Sequence, residues 1–302
     1  MPSYSSENVC IVCINVAFAN AAALQNALNC NIAIQLPEKK GYGKYLTKEP
    51  YNIEKIPDSP HYIFAGSGIL TRIDLSRLEG RKTVIISDSH YLQETSKIDA
   101  LIEKYKIEVF CMADLWQYCK FPKKMYIHPF VDFDYMDFSH IKKRDKFTIC
   151  HSPYHKVETN QKGSREIEQA VKKLKYVTAL DYECITDKTW RQTLDIKASC
   201  HFFIDQISEG NHFPQMGYKG GLGKSGLEAM LLGCLTFCGG DKIVSDVPAA
   251  PFIQVDNESL CKKLLHYKEN PFSAQTIQGK QLSWAKKYTN NKYVAKKILD
   301  EL

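Results

Sequence analysis

The chain has 302 residues, more than one core usually needs and enough for two domains of ordinary size. Hydrophobic residues make up 44% and charged residues 25%, which excludes a disordered chain, and no apolar run approaches the ~18 residues that cross a bilayer as a helix. The net charge of +6 is too small to mark the whole chain as a nucleic-acid binder, but it is unevenly spread: 15 Lys/Arg stand against 16 Asp/Glu in residues 1–140, and 25 against 18 in the remainder. The start, Met1 to Asn8, is polar where a secretory leader is basic and then apolar, so the expected location is the cytoplasm.

Apolar β-rich runs alternate with helical patterns from the beginning: a strand over Val9 to Asn15, an alanine-rich helix from Asn20 to Leu28, and a strand over Ile32 to Leu36. Further strands are expected at His61 to Phe64, Thr83 to Ile86 and Val109 to Met112, with a helix over Ser96 to Tyr105. The pattern breaks between Pro129 and Lys146, which reads as a linker. A second series follows: a strand over Phe147 to His151, a helix over Ser164 to Leu174, a strand near Tyr176 to Leu180, a helix over Lys188 to Ala198, a strand over His201 to Asp205, a helix from Lys224 and a strand over Leu235 to Cys238. One terminal helix, Ser283 to Leu302, is long enough to cross back to the first half. The expected architecture is α/β: two Rossmann-like doubly wound domains, residues 1–140 and 141–302, facing across a cleft.

Eleven cysteines are scattered, mostly within apolar runs, and read as buried reduced thiols. Cys10-x-x-Cys13 lies inside a strand-like run with no second pair at zinc spacing, so no metal is assigned to it.

Ligands of such sheets bind beyond the carboxyl ends of the strands, so the loops there carry the candidate chemistry. Residues 218–233 read Tyr-Lys-Gly-Gly-Leu-Gly-Lys-Ser-Gly-Leu-Glu-Ala-Met-Leu-Leu-Gly. The glycines let backbone approach a ligand, and a helix opening at Lys224 or Ser225 aims free N–H groups at an anion such as a diphosphate. Glu228, one turn further in, could accept two ribose hydroxyls; the plain alternative is a glycine turn capped by Ser225 with Glu228 solvated. Gly223-Lys224-Ser225 does not make a P-loop, because the earlier glycine would fall at Tyr218. A second segment, residues 151–164, runs His-Ser-Pro-Tyr-His-Lys-Val-Glu-Thr-Asn-Gln-Lys-Gly-Ser between a strand and a helix. Lys162 at that helix start, with Lys156 or His155 near it, could neutralise a leaving diphosphate; the alternative is solvated surface lysines.

Together these segments resemble the retaining family-4 glycosyltransferases, over about residues 147–240. The resemblance rests on His151-Ser152-Pro153 leading to Lys162-Gly163-Ser164, on Asp205-Gln206 at a strand end, and on Gly220 to Gly223, Leu227-Glu228-Ala229-Met230 and Gly233. It implies the GT-B fold and a nucleotide-sugar donor, UDP-linked, in the second domain, with the acceptor in the first. It also implies that His151 and Ser152 belong to the donor site, that Gly223, Lys224 and Ser225 hold the diphosphate, that Glu228 binds the ribose, and that Lys162 meets the charge on the departing phosphate. The leaving diphosphate then helps take the acceptor proton, so no carboxylate nucleophile is expected; separately, no metal or other cofactor beyond the donor is expected. The family's Glu-x7-Glu pair is incomplete, because its first position is Gly220, and Glu209 to Gly220 looks inserted. That gap keeps open a non-catalytic nucleotide-binding protein on the same fold.

On the acceptor side, Ser87-Asp88-Ser89-His90 follows a strand, and His90 or Asp88 could deprotonate an acceptor hydroxyl; a capping aspartate and a surface histidine explain them equally. Gly66 and Ser67 follow another strand and leave room for an acceptor, while Asn20 could bring a helix start to the donor or serve as a simple cap. Lysines alternate with tyrosines from Lys39 to Tyr51, Lys44 and Tyr45 among them, a surface suited to phosphates and stacked bases. These N-terminal features loosely resemble compact phage-encoded glycosyltransferases that decorate hydroxymethylated pyrimidines. DNA is thus one expected partner; a surface-glycan or lipid-linked saccharide, with peripheral membrane contact, is the other.

Overall fold

The computed structural model describes residues 8–13, 18–35, 46, 48–87, 94–112, 125–127, 137–153, 162–207, 221–240, 242, 247–300 and 302; residues 18–20, 87, 112 and 125–127 are described as backbone only. The chain divides into two compact units, Met1–Asp132 with Tyr288–Leu302, and Phe133–Lys287.

The first unit contains β1 (Val9–Cys13), α1 (Phe18–Leu28), β2 (Asn31–Ile34), β3 (Tyr51–Asn52), β4 (His61–Ala65), β5 (Lys82–Ser87), α2 (Thr95–Lys104), β6 (Glu108–Met112) and β7 (Met125–Ile127). Its strands pair in the order β3-β2-β1-β4-β5-β6-β7, every pair parallel. All five residues of β1 are buried, as a central parallel strand covered on both faces requires. Alternation splits those residues between the faces: Val9, Ile11 and Cys13 join Ile63, Ala65, Val84 and Ile86 in one cluster. Cys10 therefore points away from Cys13, and both are buried free thiols, whose pKa burial raises.

The second unit contains β8 (Thr148–His151), α3 (Ser164–Val177), β9 (Asp181–Cys184), α4 (Trp190–Ser199), β10 (Phe202–Ile204), α5 (Lys224–Leu231), β11 (Leu235–Cys238), β12 (Ile253–Gln254), α6 (Leu260–Glu269) and α7 (Pro271–Tyr288). The strands again pair in parallel, in the order β12-β11-β10-β8-β9. On one face α3 lays Ile167, Val171 and Leu174, a helical stripe, against Ile149, Phe202, Ile204 and Phe237. On the other, Cys150 and Phe203 pack with Ala229 and Cys234. The order reverses between β8 and β10, where adjacent strands send their connections to opposite sides; the carboxyl ends at such a reversal are where ligands of these sheets bind.

The last helix, α8 (Asn291–Leu299), belongs to the first unit, where Val294, Ala295 and Ile298 pack against Ala21 to Leu24 of α1. The single helix expected over Ser283 to Leu302 is therefore two. Asn290 leaves helical geometry (φ −65, ψ 130) and its side chain accepts from the backbone N–H groups of Lys292 and Tyr293, capping a new helix instead of continuing the old one. The strand expected at Tyr176 to Leu180 is also displaced. Helix α3 runs to Val177, leaving Tyr176 90% and Val177 69% exposed, and the strand is the edge segment Asp181–Cys184, which needs no apolar run because neither of its faces is fully covered.

Candidate functional site

The carboxyl ends of β8 and β10 are tied first by a buried histidine. His151, the last residue of β8, has no exposed surface; its Nδ1 lies 2.8 Å from the Ile204 carbonyl and its Nε2 lies 2.8 Å from the Ser164 hydroxyl. A carbonyl only accepts, so Nδ1 carries the proton, and Nε2 accepts from Ser164. Burial pushes the ring pKa down to about 4, so this neutral tautomer is the working form. His151 thus joins β8, β10 and the start of α3 and has both ring nitrogens engaged internally.

Immediately beyond β10, Asp205 is buried with no exposed surface. Its Oδ1 receives the Lys162 ammonium at 2.9 Å and its Oδ2 receives the Gly223 N–H at 2.7 Å. One carboxylate therefore ties the loop entering α3 to the glycine-rich turn entering α5. The approach depends on missing side chains: a Cβ at Gly226 would sit 2.9 Å from Asp205 Oδ2, and one at Gly223 would sit 3.2 Å away. Gly163, the N-cap of α3, has φ +70, and a Cβ there would meet Ile207 Cγ1 at 2.7 Å. The backbone after β10 locks into the same junction, with the Ile207 N–H donating to the Lys162 carbonyl at 3.1 Å and the Gln206 amide donating to the Gly221 carbonyl.

Helix α5 opens at Lys224, as expected, but its N-cap is Gly223 and not Ser225. Ser225 instead faces inward: its hydroxyl and carbonyl accept from Lys197 Nζ at 2.7 and 3.1 Å. The same ammonium lies 2.6 Å from Glu228 Oε2, while Trp190 Nε1 donates to Glu228 Oε1 at 2.9 Å. Glu228 is 4% exposed, so the solvated reading is overturned. Burial by itself would raise its pKa, but Lys197 and Lys224, with the hydrogen bonds from Lys197 and Trp190, outweigh burial and hold it below the ordinary carboxylate range. Half-buried Lys224 spreads its ammonium 5.7 Å over the Trp190 ring, and burial lowers its pKa against the pull of Glu228.

Of the other expected residues, Ser152 is half-buried just beyond β8. Gly66, with φ +103, and Ser67 follow β4 and are both buried. Asn20 lies within α1, which begins two residues earlier at Phe18, so it is not the cap. Lys44, Tyr45, Asp88, His90 and Lys156 fall outside the described residues, as do Glu209 to Gly220. Asp132 and Asp134, which stand at Asp-x-Asp spacing, also fall outside. Among the described residues no group of His, Cys, Asp or Glu has metal-binding geometry, and no helix is long and apolar enough to cross a membrane. A cavity of about 620 Å³ lies in the first unit, lined by Arg81, Lys82, Lys104 and Lys106 at the amino ends of β5 and β6, away from the ligand-bearing end of such a sheet.

Sequence reasoning missed Asp205, Lys197 and Trp190 as site residues. A lysine in register with the buried Leu194 and Ala198 of α4 was the available signal for Lys197.

No known family matches the sequence and no curated protein does. Solved structures do match. Alr3699/HepE from Anabaena, in complex with UDP-glucose, is similar over 97% of this chain and all of its own, with a TM-score of 0.62 and 11% identity. The spinosyn rhamnosyltransferase SpnG, complexed with thymidine diphosphate, is similar over 97% of this chain and 100% of its own (TM-score 0.53, 10% identity). The glycosyltransferase SnogD from Streptomyces nogalater is similar over 98% and 100% (TM-score 0.53, 7% identity). The fold is that of the GT-B glycosyltransferases. At such identities the likeness carries the fold alone, and the roles of individual residues rest on the chemistry of the site.

Proposed function

We propose that this chain is a glycosyltransferase that takes a sugar from a nucleoside diphosphate donor, UDP-linked, bound at the carboxyl ends of β8, β10 and β11. The observation that carries the reading is the single buried carboxylate of Asp205 holding the Lys162 ammonium and the Gly223 N–H side by side, at the strand-order reversal of the second sheet. A cation and a helix N-terminus fixed together form an anion site, and a diphosphate is the anion that spans both. The UDP-glucose and thymidine diphosphate held by two of the fold's neighbours support the donor class.

In this reading the N–H groups of Lys224 and Ser225, presented by the turn that Asp205 holds at Gly223, receive the diphosphate, and Lys162 meets the charge that grows on the leaving phosphate. Glu228 keeps lone pairs beyond those used by Lys197 and Trp190, and these accept the ribose hydroxyls. Ser152 and Lys156 complete the donor side. Catalysis is then charge stabilisation and positioning, with retention at the anomeric carbon, without a carboxylate nucleophile and without a metal. For the acceptor we propose a hydroxymethylated pyrimidine in DNA, with Lys44 and Tyr45 on the nucleic acid and His90 with Asp88 orienting the hydroxyl; Gly66 and Ser67, both buried, do not reach it. Its support is the alternation of lysine and tyrosine from Lys39 to Tyr51.

The test is incubation with a panel of UDP-sugars and either hydroxymethylcytosine DNA or a mixture of saccharides, read by product mass. A hexose or pentose gained by DNA supports the full reading; gain by a saccharide moves the acceptor to a surface or lipid-linked glycan. Binding of UDP-sugar with no transfer and no slow donor hydrolysis assigns the protein to non-catalytic nucleotide binders.

A further inference from the structure

We propose that Asp205 is a positioning residue that sets Lys162 and Gly223 for the diphosphate and competes with that diphosphate for the Lys162 ammonium; this rests on the donor-site reading above. Asp205 is the fixed member of the trio. It has no exposed surface, its own N–H donates to the Phe237 carbonyl at 2.9 Å, and the close approach of Gly223 and Gly226 leaves its carboxylate no room to turn. Lys162 is the member that can move, with 14% of its side chain exposed at the mouth of the junction. A bound diphosphate therefore draws the ammonium outward while the Gly223 N–H stays on Asp205, and the residual pull of Asp205 on Lys162 weakens the hold on the nucleotide and favours its release.

Two substitutions separate this role from simple bracing. Asp205→Asn has one acceptor oxygen for two donors; the immobile Gly223 N–H takes it, the amide NH2 faces Lys162, and the ammonium is released toward the phosphates. Asp205→Ala removes the brace and the charge together.

The experiment is titration of UDP into the wild type and both variants by calorimetry, with stopped-flow release rates and a circular-dichroism check of folding. The expected result is UDP bound more tightly and released more slowly by Asp205→Asn, on the order of tenfold for the loss of one nearby charge, and more weakly than wild type by Asp205→Ala. Equal weakening in both variants, or wild-type affinity in Asp205→Asn, overturns the proposal while leaving the donor site standing. Failure of the wild type to bind any nucleoside diphosphate overturns the donor-site reading and this inference with it.

Discussion

The Lys197 ammonium lies 2.6 Å from the Glu228 carboxylate, with 0% and 5% of the two side chains exposed. Helices α4 and α5 are thereby joined beneath the glycine-rich turn by a charge pair that has lost almost all hydration. Removing one partner strands the other charge in the interior, so Lys197→Met is expected to cost about 3–5 kcal/mol of stability. The pair Lys197→Met with Glu228→Leu costs less than the two single losses added. Urea unfolding of the four proteins in the cycle measures this, and simple additivity would show that the pair does not act as a unit.

The stability of the second unit depends on pH through His151 in a direction that can be worked out. The native ring, with its pKa near 4, stays neutral where the unfolded ring, near 6.5, takes up a proton. The unfolded state binds more protons between those values, so the stabilisation is complete above pH 6.5 and falls away toward pH 4, by up to about 3 kcal/mol. Glu228 adds a loss at lower pH: its depressed native pKa contributes stability present above the ordinary carboxylate value and lost as pH drops through the native one. Denaturation midpoints from pH 4 to 7.5, with the His151 imidazole followed by NMR, should show this rise and a ring that does not titrate near 6.5. A flat profile with an ordinary titration contradicts the buried neutral histidine.

Gly226→Ala places a methyl group 2.6 Å from Leu222 Cδ1 and 2.9 Å from the immobile Asp205 carboxylate. The leucine can give way, but the carboxylate can move only by loosening its hold on Gly223. We expect about 1–3 kcal/mol of destabilisation together with weaker UDP binding. Gly279→Ala, which meets nothing within 4 Å on α7, is the control expected to raise stability by about 0.5–1 kcal/mol and leave UDP binding unchanged. Loss of stability without loss of affinity would detach Gly226 from the donor site.

Much of this was readable from the residues and some was not, for physical reasons. Leu235–Cys238, three apolar residues around one β-branched threonine, is readable to the residue, and the glycines before Lys224 mark the start of α5. The two-residue strand Tyr51–Asn52 and the three-residue Met125–Ile127 are too short to show a period, and the β-prone Tyr176-Val177 masked the end of α3. At the site, Lys162 and Glu228 were visible because they stand beside glycines and a helix start. Asp205 stands out only as part of the resemblance, with no role, and Lys197 not at all, since their partners are 43 and 31 residues away in sequence and only the folded sheet brings them together.

Lys162→Ala removes the cation that the proposed function sets opposite the leaving phosphate but leaves the helix N-terminus and Glu228 in place. Donor turnover is expected to fall on the order of a hundredfold, with affinity for the intact UDP-sugar changing much less, because the developing charge is larger in the transition state than in the bound donor. Steady-state kinetics beside calorimetric Kd values decides the point; an equal loss in both would make Lys162 a binding group only.

The central claim, that Lys162, the Gly223 turn and Glu228 serve one sugar nucleotide, is tested most directly by titrating UDP into the wild type and a folded Glu228→Gln variant. The account predicts saturable binding by the wild type and at least tenfold weaker binding by the variant, from loss of a charged acceptor for the ribose hydroxyls. Equal affinity in the two proteins, or no binding by either, would contradict it.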